Sequence, residues 1–232
     1  EDMASLRRSL LEGEAPASEE GNATWAIEQA GGAIRDVLSK QRMLTGTTEW
    51  DDLLRSEGGA YIQFLMQGDT QIITDAIQNN LPSLSVDKAL FTSEVRFTDR
   101  VFQFHNKYSR LFQDDAVPKL DSTLLYNMVT GDVGDPGLLP VNAVKWDTTP
   151  RDIAILVDAH SETSFSAQLY HFGESPRTLG AHFFRFNPGQ YNWALQCDDT
   201  PSATGEITED EALSLTLPSQ QLCTLSVTAD TP

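Results

Sequence analysis

The sequence predicts an α+β protein, with antiparallel helical hairpins in its first part and an antiparallel β-sandwich in its last part. Up to about residue 111, apolar residues recur at steps of three and four, which is the spacing of amphipathic helices. From about residue 151, apolar and polar residues alternate, as in strands with one buried face. The polar segment 113–121, which contains Pro118, lies between the two patterns. We therefore expect a helical domain over residues 1–115, a linker with the first strands over 116–150, and a β-sandwich domain over 151–232.

The first well-marked helix is expected over about residues 23–44. Its apolar residues form one stripe, and Gly46 follows at the point where the helix should end. Thr48 and Asp51 then have the spacing of a capping box, with Asp in place of the usual Glu. This pair predicts the start of a second helix.

The second helix is expected to continue to about Leu65. Gly58 and Gly59 lie inside it, and glycine destabilises a helix interior by about 1 kcal/mol, so these residues indicate the close approach of a neighbouring helix. Gly68 and Asp69 are expected to end this helix and to cap the next one. The two helices would then form a tight hairpin.

Strands are expected in the last part of the chain. Leu124–Val129 and Leu139–Trp146 could be strands on either side of a glycine-rich turn. The clearer runs are Ile153–Ala159, Phe165–Leu169, Leu179–Phe186, Tyr191–Leu195, Leu213–Leu217 and Leu222–Val227. Short strands at this spacing are typical of a β-sandwich. Cys197 and Cys223 lie in or next to two of these runs, so either one disulfide or two buried thiols would be compatible with the pattern.

The charge excludes some partners. The chain has 34 acidic and 16 basic residues, which gives a formal net charge of -18. Such a surface repels phosphate backbones, and no apolar stretch is long enough to insert into a membrane, so we expect neither nucleic acid nor membrane insertion. Because the sequence begins at Glu1 and not at Met, we expect either a mature, processed product or a piece of a larger polypeptide.

Three segments resemble parts of secreted polysaccharide lyases and glycoside hydrolases. Leu65-Met66-Gln67-Gly68-Asp69 between two helices is similar to a hairpin of their α/α toroids. Phe183–Tyr191 and Leu217–Leu222 are similar to segments of the β-sandwich that follows such toroids. The resemblance implies a C-terminal part of a secreted or cell-surface carbohydrate-active protein that degrades a polysaccharide or oligosaccharide. The chain has fewer helices than a complete toroid requires.

A dense cluster of reactive side chains lies between residues 92 and 108. Lyase chemistry needs a cation to neutralise a uronate and a Tyr or His to move the proton. The residues of these types are Arg96, Arg100, His105 and Tyr108. Glycoside hydrolysis would need two carboxylates about 5 to 9.5 Å apart, for which Glu94 and Asp99 are the nearest candidates. The structural alternatives are a surface ion pair between Arg96 and Asp99 and a core position for Tyr108.

We predict neither a cofactor nor a metal. His160, His171 and His182 are spread over three expected strands, and their spacing matches no zinc site. Asp132, Asp135 and Asp147 lie in a loop-rich region without the spacing of a calcium-binding loop. No phosphate-binding glycine motif is present, so the sequence does not support nucleotide-dependent chemistry.

Two functions without catalysis remain open. The sandwich could belong to an extracellular module that presents aromatic residues such as Tyr170, Phe184 and Trp193 to a sugar or to another protein. The chain could also be a structural subunit of a larger assembly. An exposed apolar face on the helices would favour that last possibility.

Overall fold

The computed structural model describes residues 21–79, 122–199 and 203–230. These residues form five helices and two antiparallel sheets, so the α+β class is confirmed. The described residues up to Gln67 and from Thr123 onward belong to one compact unit, whereas helix 70–79 belongs to a second unit. The predicted domain limits stay a prediction, because residues 80–121 lie outside the described part. None of the described helices combines the length and the apolar character that a bilayer span requires.

The helices and strands follow one another along the chain in two groups. The helices are α1 (Gly21–Thr45), α2 (Asp51–Glu57), α3 (Ala60–Gln67), α4 (70–79) and α5 (Ser122–Thr130). The strands are β1 (Val144–Asp147), β2 (Ile153–His160), β3 (Ser164–His171), β4 (Arg177–Phe183), β5 (Gln190–Cys197), β6 (Ala203–Thr208), β7 (Leu213–Leu217) and β8 (Leu222–Ala229). One sheet has the order β1-β4-β7, and the other has the order β2-β3-β8-β5-β6.

Helix α1 ends as the sequence predicts, but α2 does not begin with a capping box. Gly46 has a φ of 69° and donates its backbone N–H to the Arg42 carbonyl at 2.9 Å. At the start of α2 the N-cap residue is Trp50 and not Thr48, and its side chain makes no capping hydrogen bond. The Asp51 carboxylate instead accepts a hydrogen bond from Arg42 Nε at 2.7 Å. The predicted Thr48 cap is therefore wrong, because an ion pair with the preceding helix takes up Asp51.

The predicted helix up to Leu65 is interrupted at Gly58 and Gly59. Gly58 has extended backbone angles, with φ -64° and ψ 161°, and its N–H caps the Leu54 carbonyl at 3.1 Å. A Cβ atom at Gly58 would collide with the Ile62 side chain and with the Leu54 carbonyl. The glycine therefore permits a close approach, as predicted, but the neighbour is the following helix across a sharp break.

The segment predicted as a strand over Leu124–Val129 is helix α5. Leu124 and Asn127, three residues apart, are both buried, which is the spacing of one helical face. Gly131 ends the helix with a φ of 72° and donates its N–H to the Asn127 carbonyl at 2.8 Å. Of the next predicted strand, Leu139–Trp146, only the last three residues belong to a strand, which is β1.

The later strands confirm the predicted alternation. In β7, the three leucines are buried and the two residues between them are exposed. The predicted strand Leu179–Phe186 is displaced towards the N-terminus, because β4 covers Arg177–Phe183. The sequence does not predict strand β6. Ile207 is its one buried residue, so the strand lacks the alternation of apolar and polar residues on which the prediction depends. Phe165 of β3 and Phe183 of β4 bring their ring centroids within 5.0 Å, so the buried faces of the two sheets meet there.

Cys197 and Cys223 face each other across the pairing of β5 with β8 and form a disulfide. This settles the alternative that the sequence left open. The bridge joins strands that are 26 residues apart along the chain. It closes the loop that contains β6 and β7.

A buried ion pair holds α1 against the segment that follows α5. Lys40 is 5% exposed and Asp132 is fully buried, and their charged atoms lie 2.8 Å apart. Lys40 also donates to the Leu139 carbonyl. The Asp132 carboxylate accepts backbone N–H groups from Gly134, at 2.9 Å, and from Val141. Both charges are therefore compensated in the interior, as buried charges require.

We expect the substitution Lys40→Met to lower the free energy of unfolding by about 3–5 kcal/mol, because it leaves a buried carboxylate without its cation. The matched control is Lys145→Met, which removes an exposed lysine 3.4 Å from Asp147. An exposed pair contributes about 1 kcal/mol or less. Urea denaturation followed by circular dichroism measures both losses, and equal losses would contradict the structural role of Lys40.

We expect the double substitution Cys197→Ser/Cys223→Ser to lower the free energy of unfolding by about 3–4 kcal/mol, because the open chain regains loop entropy. The unmodified protein in excess reductant is the control and should lose a similar amount. Chemical denaturation with and without reductant measures the effect. If the reductant left the unfolding midpoint of the unmodified protein unchanged, the stabilising bridge would be ruled out.

Candidate functional site

A cleft of about 500 Å³ lies beside the end of β2. The last turns of α1 and the second half of α3 form one wall, and the segment 158–163 forms another. Helix α3 is fixed to β2 because the buried Tyr61 hydroxyl donates to the Val157 carbonyl at 3.0 Å. The cleft is therefore lined by elements that are fastened to one another.

An irregularity in β2 determines which side chains reach the cleft. The pairing of β2 with β3 shifts register between Val157 and Ala159, which leaves Asp158 at a bulge. Bulges redirect side chains at the ends of sheets. The Asp158 carboxylate accepts a hydrogen bond from Gln168 Nε2 at 3.2 Å. Asp158 and His160 both line the cleft as a result.

His160 is held in the cleft by an arginine and a glycine. Arg185 Nη1 lies 3.3 Å from His160 Nδ1. Because a guanidinium only donates, Nδ1 accepts this hydrogen bond and the proton of the neutral ring is on Nε2. A Cβ atom at Gly131 would lie 3.1 Å from His160 Cδ2 and 2.8 Å from Ala143 Cβ. Gly131 is thus needed both for its positive φ and for the close packing of the imidazole.

His160 is kept neutral at physiological pH. Burial, followed by the positive charge of Arg185, lowers its pKa from 6.5 to about 4, against weaker opposing effects of a hydrogen bond with the Gly131 backbone and of the Asp132 charge. The Nε2 atom is buried, and its interaction with the Gly131 backbone falls short of good hydrogen-bond geometry.

Arg185 is one of two arginines that line the cleft, and its hydrogen-bond partners are neutral. Its Nη2 donates to the Met43 carbonyl, and its Nη1 donates to His160. Burial lowers the pKa of Arg185, and the nearby charge of Glu162 opposes this effect. The other cation, Arg42, is compensated by Asp51 through hydrogen bonds of 2.7 and 3.2 Å.

Two carboxylates and an apolar strip complete the lining. Burial raises the pKa of Asp158, although hydrogen bonds from Gln168 and Ser166 partly oppose the shift. Glu162 is exposed, and Asn187 Nδ2 lies 3.4 Å from its Oε2 atom. The apolar strip consists of Met43, Ile62, Leu65 and Met66. The cleft therefore presents donors, acceptors and an apolar wall to the same space.

A second cavity, of about 330 Å³, lies between α5 and the strands β1 and β2. Its larger polar side chains already have partners. The Trp146 Nε1 atom donates to the Val129 carbonyl at 2.8 Å, and the Tyr126 hydroxyl donates to Asn142 Oδ1 at 3.0 Å. The cleft beside His160 is the better candidate site, because its polar groups are incompletely satisfied.

The structure does not test the predicted catalytic residues. Glu94, Arg96, Asp99, Arg100, His105 and Tyr108 all lie outside the described residues. The three histidines of strands β2, β3 and β4 have different surroundings. His160 lines the cleft, His171 is buried, and His182 bonds through Nε2 to Asp147 at 2.6 Å. Within the described part of the chain, no three His, Cys, Asp or Glu residues are grouped to hold a metal ion.

Sequence reasoning missed Asp158, Glu162 and Arg185. Two of these residues carry a signal in the sequence. Asp158 is an acidic residue inside an apolar run, and Arg185 is a cation between two phenylalanines. A charged residue within an apolar segment indicates a specific interaction in the folded protein, because an uncompensated buried charge is strongly destabilising. Glu162 lies in an ordinary polar loop and carries no such signal.

No family model matches the chain, and no curated protein matches it either. Among solved structures, a GH30 endoxylanase from Clostridium papyrosolvens is 12% identical over 40% of this chain and 25% of its own, with a TM-score of 0.28. A proposed alpha-N-acetylgalactosaminidase from Bacillus halodurans is 14% identical over 38% of this chain and 21% of its own, with a TM-score of 0.26. KdgF from a Halomonas species is 6% identical over 38% of this chain and 89% of its own, with a TM-score of 0.18. The first two distant neighbours are glycoside hydrolases, but likenesses this weak carry no argument about this chain.

We expect His160 to make the protein less stable as the pH falls from 6.5 to 4. In this window the unfolded chain binds a proton at His160 that the folded protein excludes, so the free energy of unfolding decreases by up to about 3 kcal/mol. Because carboxylates titrate in part of the same window, the measurement is the difference between the unmodified protein and His160→Gln. Urea denaturation at several pH values gives this difference, and parallel pH profiles would show that His160 titrates normally.

Proposed function

We propose that this chain is part of a carbohydrate-active protein and that the cleft beside His160 and Arg185 binds a saccharide. The observation that carries the proposal is the mixture of donors and acceptors in one cleft of about 500 Å³. Arg185 supplies donors, and Asp158 and Glu162 supply acceptors. Each sugar hydroxyl both donates and accepts, so a saccharide can satisfy both sets. The size falls within the range of about 300–1,000 Å³ found for small-molecule sites.

The apolar wall supports the same class of ligand. Met43, Ile62, Leu65 and Met66 line the same cleft as the polar residues at the end of β2. A sugar ring has C–H groups on its faces and hydroxyl groups around its edge. An apolar wall with a few well-placed polar groups is the usual composition of a small-molecule pocket. The unbranched methionines can adapt to an irregular ligand surface.

The proposed architecture is a β-sandwich that supports toroid-like helical hairpins. The contact between Phe165 and Phe183 supports the sandwich, because the rings belong to different sheets. The break at Gly58 supports short, closely packed helices in the first part of the chain. The resemblance of Leu65–Asp69 to a toroid hairpin points the same way.

Polysaccharide degradation is the activity that we propose for the cleft. Glycoside hydrolysis requires one carboxyl group that keeps its proton and one that is ionised. Burial raises the pKa of Asp158, which suits it as the acid, while the exposed Glu162 suits the role of base or nucleophile. Both residues line the same cleft.

A binding module without catalysis is the second candidate. Tyr170 and Phe172 form an edge-to-face pair with ring centroids 4.7 Å apart, and Phe172 is 56% exposed. Aromatic rings that reach the surface are a common element of sugar-binding and protein-binding surfaces. In this case, the cleft would bind its ligand and release it unchanged.

A location outside the cytoplasm is also proposed. The disulfide between Cys197 and Cys223 supports it, because such bridges persist in oxidising surroundings and are rare in the cytosol. A secreted or cell-surface location would also bring the protein into contact with polysaccharides.

The proposal is tested by incubating the whole chain with a panel of neutral and acidic polysaccharides and oligosaccharides. Affinity electrophoresis measures binding, reducing-end formation measures hydrolysis, and absorbance of unsaturated products measures lyase activity. We expect at least one glycan to be retained and cleaved. Retention without cleavage would favour the binding module, and the absence of retention and cleavage on every glycan would overturn the saccharide proposal.

Matched variants assign the effect to the cleft. Asp158→Asn should abolish hydrolysis while the glycan still binds, because the amide keeps the shape of the side chain but cannot deliver the proton. Glu162→Gln should reduce hydrolysis for the corresponding reason. Glu206→Gln makes the same change on the exposed side of β6, outside the cleft, and should leave the activity unchanged. Equal losses in all three variants would exclude a catalytic role for Asp158 and Glu162.

A further inference from the structure

Arg185 carries a positive charge into the cleft without an ion-pair partner in the described part of the chain. Its half-buried guanidinium is oriented by His160 Nδ1 and the Met43 carbonyl, both of which are uncharged acceptors. A cation that is removed from water without an opposite charge carries a desolvation penalty that a bound anion would offset.

The other charges of the cleft do not remove this imbalance. Arg42 is matched by Asp51, as described above. The Asp158 carboxylate is oriented by Gln168, and no cation contributes to its electrostatic surroundings. Glu162 acts on Arg185 only through space and remains exposed.

The neutral state of His160 lets it orient the guanidinium. Nδ1 accepts a hydrogen bond from Arg185 Nη1 at 3.3 Å, so the imidazole holds Arg185 in place without compensating its charge. The ring proton is on Nε2, a buried atom at the other edge of the ring, which interacts with the Gly131 backbone. The donor capacity that remains for a ligand is therefore that of Arg185, and an oxyanion is the group that satisfies a guanidinium.

We propose that the saccharide of the cleft carries a carboxylate group and that this carboxylate pairs with Arg185. The inference rests on the proposed function and narrows its ligand to acidic sugars, the uronates. A carboxylate is favoured over a phosphate because one guanidinium balances one negative charge. The planar carboxylate also matches the remaining N–H groups of the fork. A doubly charged phosphate would leave an excess negative charge near Glu162.

The inference is tested by calorimetry with matched ligands. The probes are tetrasaccharides of galacturonate, glucuronate and mannuronate, each compared with its neutral methyl ester. We expect at least one acid to bind about tenfold or more tightly than its ester, and the preference to weaken as salt is added. If an ester bound as tightly as its acid, or if a sugar phosphate bound more tightly than either, the uronate inference would be overturned.

Three arginine variants locate the preference. Arg185→Gln should remove the advantage of the acid over the ester, whereas Arg185→Lys keeps the charge and should retain part of it. Arg151→Gln makes the same change at an exposed position outside the cleft and should behave like the unmodified protein. Thermal melts verify that each variant is folded. A preference that persisted in Arg185→Gln would contradict the assignment.

The glycan panel separates the two levels of the proposal. Binding of neutral glycans without any preference for acids would reject the carboxylate inference and leave the saccharide function standing. A failure to bind any glycan, acidic or neutral, would reject both.

Discussion

The buried ion pair between Lys40 and Asp132 is the interaction on which the site depends. It joins the last part of α1 to the loop after α5, and it also satisfies two backbone N–H groups of that loop through Asp132. The Met43 carbonyl that orients Arg185 lies one helical turn beyond Lys40. A displacement of α1 would therefore remove one wall of the cleft and one partner of the cationic side chain.

The chemistry of the cleft follows from how its charges are partnered. Lys40 and Arg42 are each paired with a carboxylate, so they stabilise the fold and offer little to a ligand. Arg185 has neutral partners, and His160 must remain neutral to be one of them. Lys40 and Arg42 thus belong to ion pairs of the fold, whereas the charge of Arg185 remains available to a ligand. This division, and not the total charge of -18, describes what the cleft can recognise.

The sequence was sufficient to predict elements whose burial follows a simple period. The alternation in β7 and the end of α1 at Gly46 are examples, since local spacing and one glycine determine them. The strand predicted over Leu124–Val129 failed because a short apolar run satisfies both periods. The cleft itself could not be predicted, because Met43 and Arg185 are 142 residues apart and meet only through tertiary packing. The predicted catalytic cluster between residues 92 and 108 remains a prediction.

The distance along the chain between the partners of α1 has a consequence for folding. Lys40 and Asp132 are 92 residues apart, so α1 leaves the ribosome long before its anchor has been synthesised. The apolar face of α1 therefore stays exposed to solvent until Asp132 has been synthesised. Closing the long loop between the two residues then has an entropic cost. The cleft is then among the last parts of the molecule to assemble. During synthesis, the nascent helix therefore exposes apolar surface that can aggregate before its partners are available.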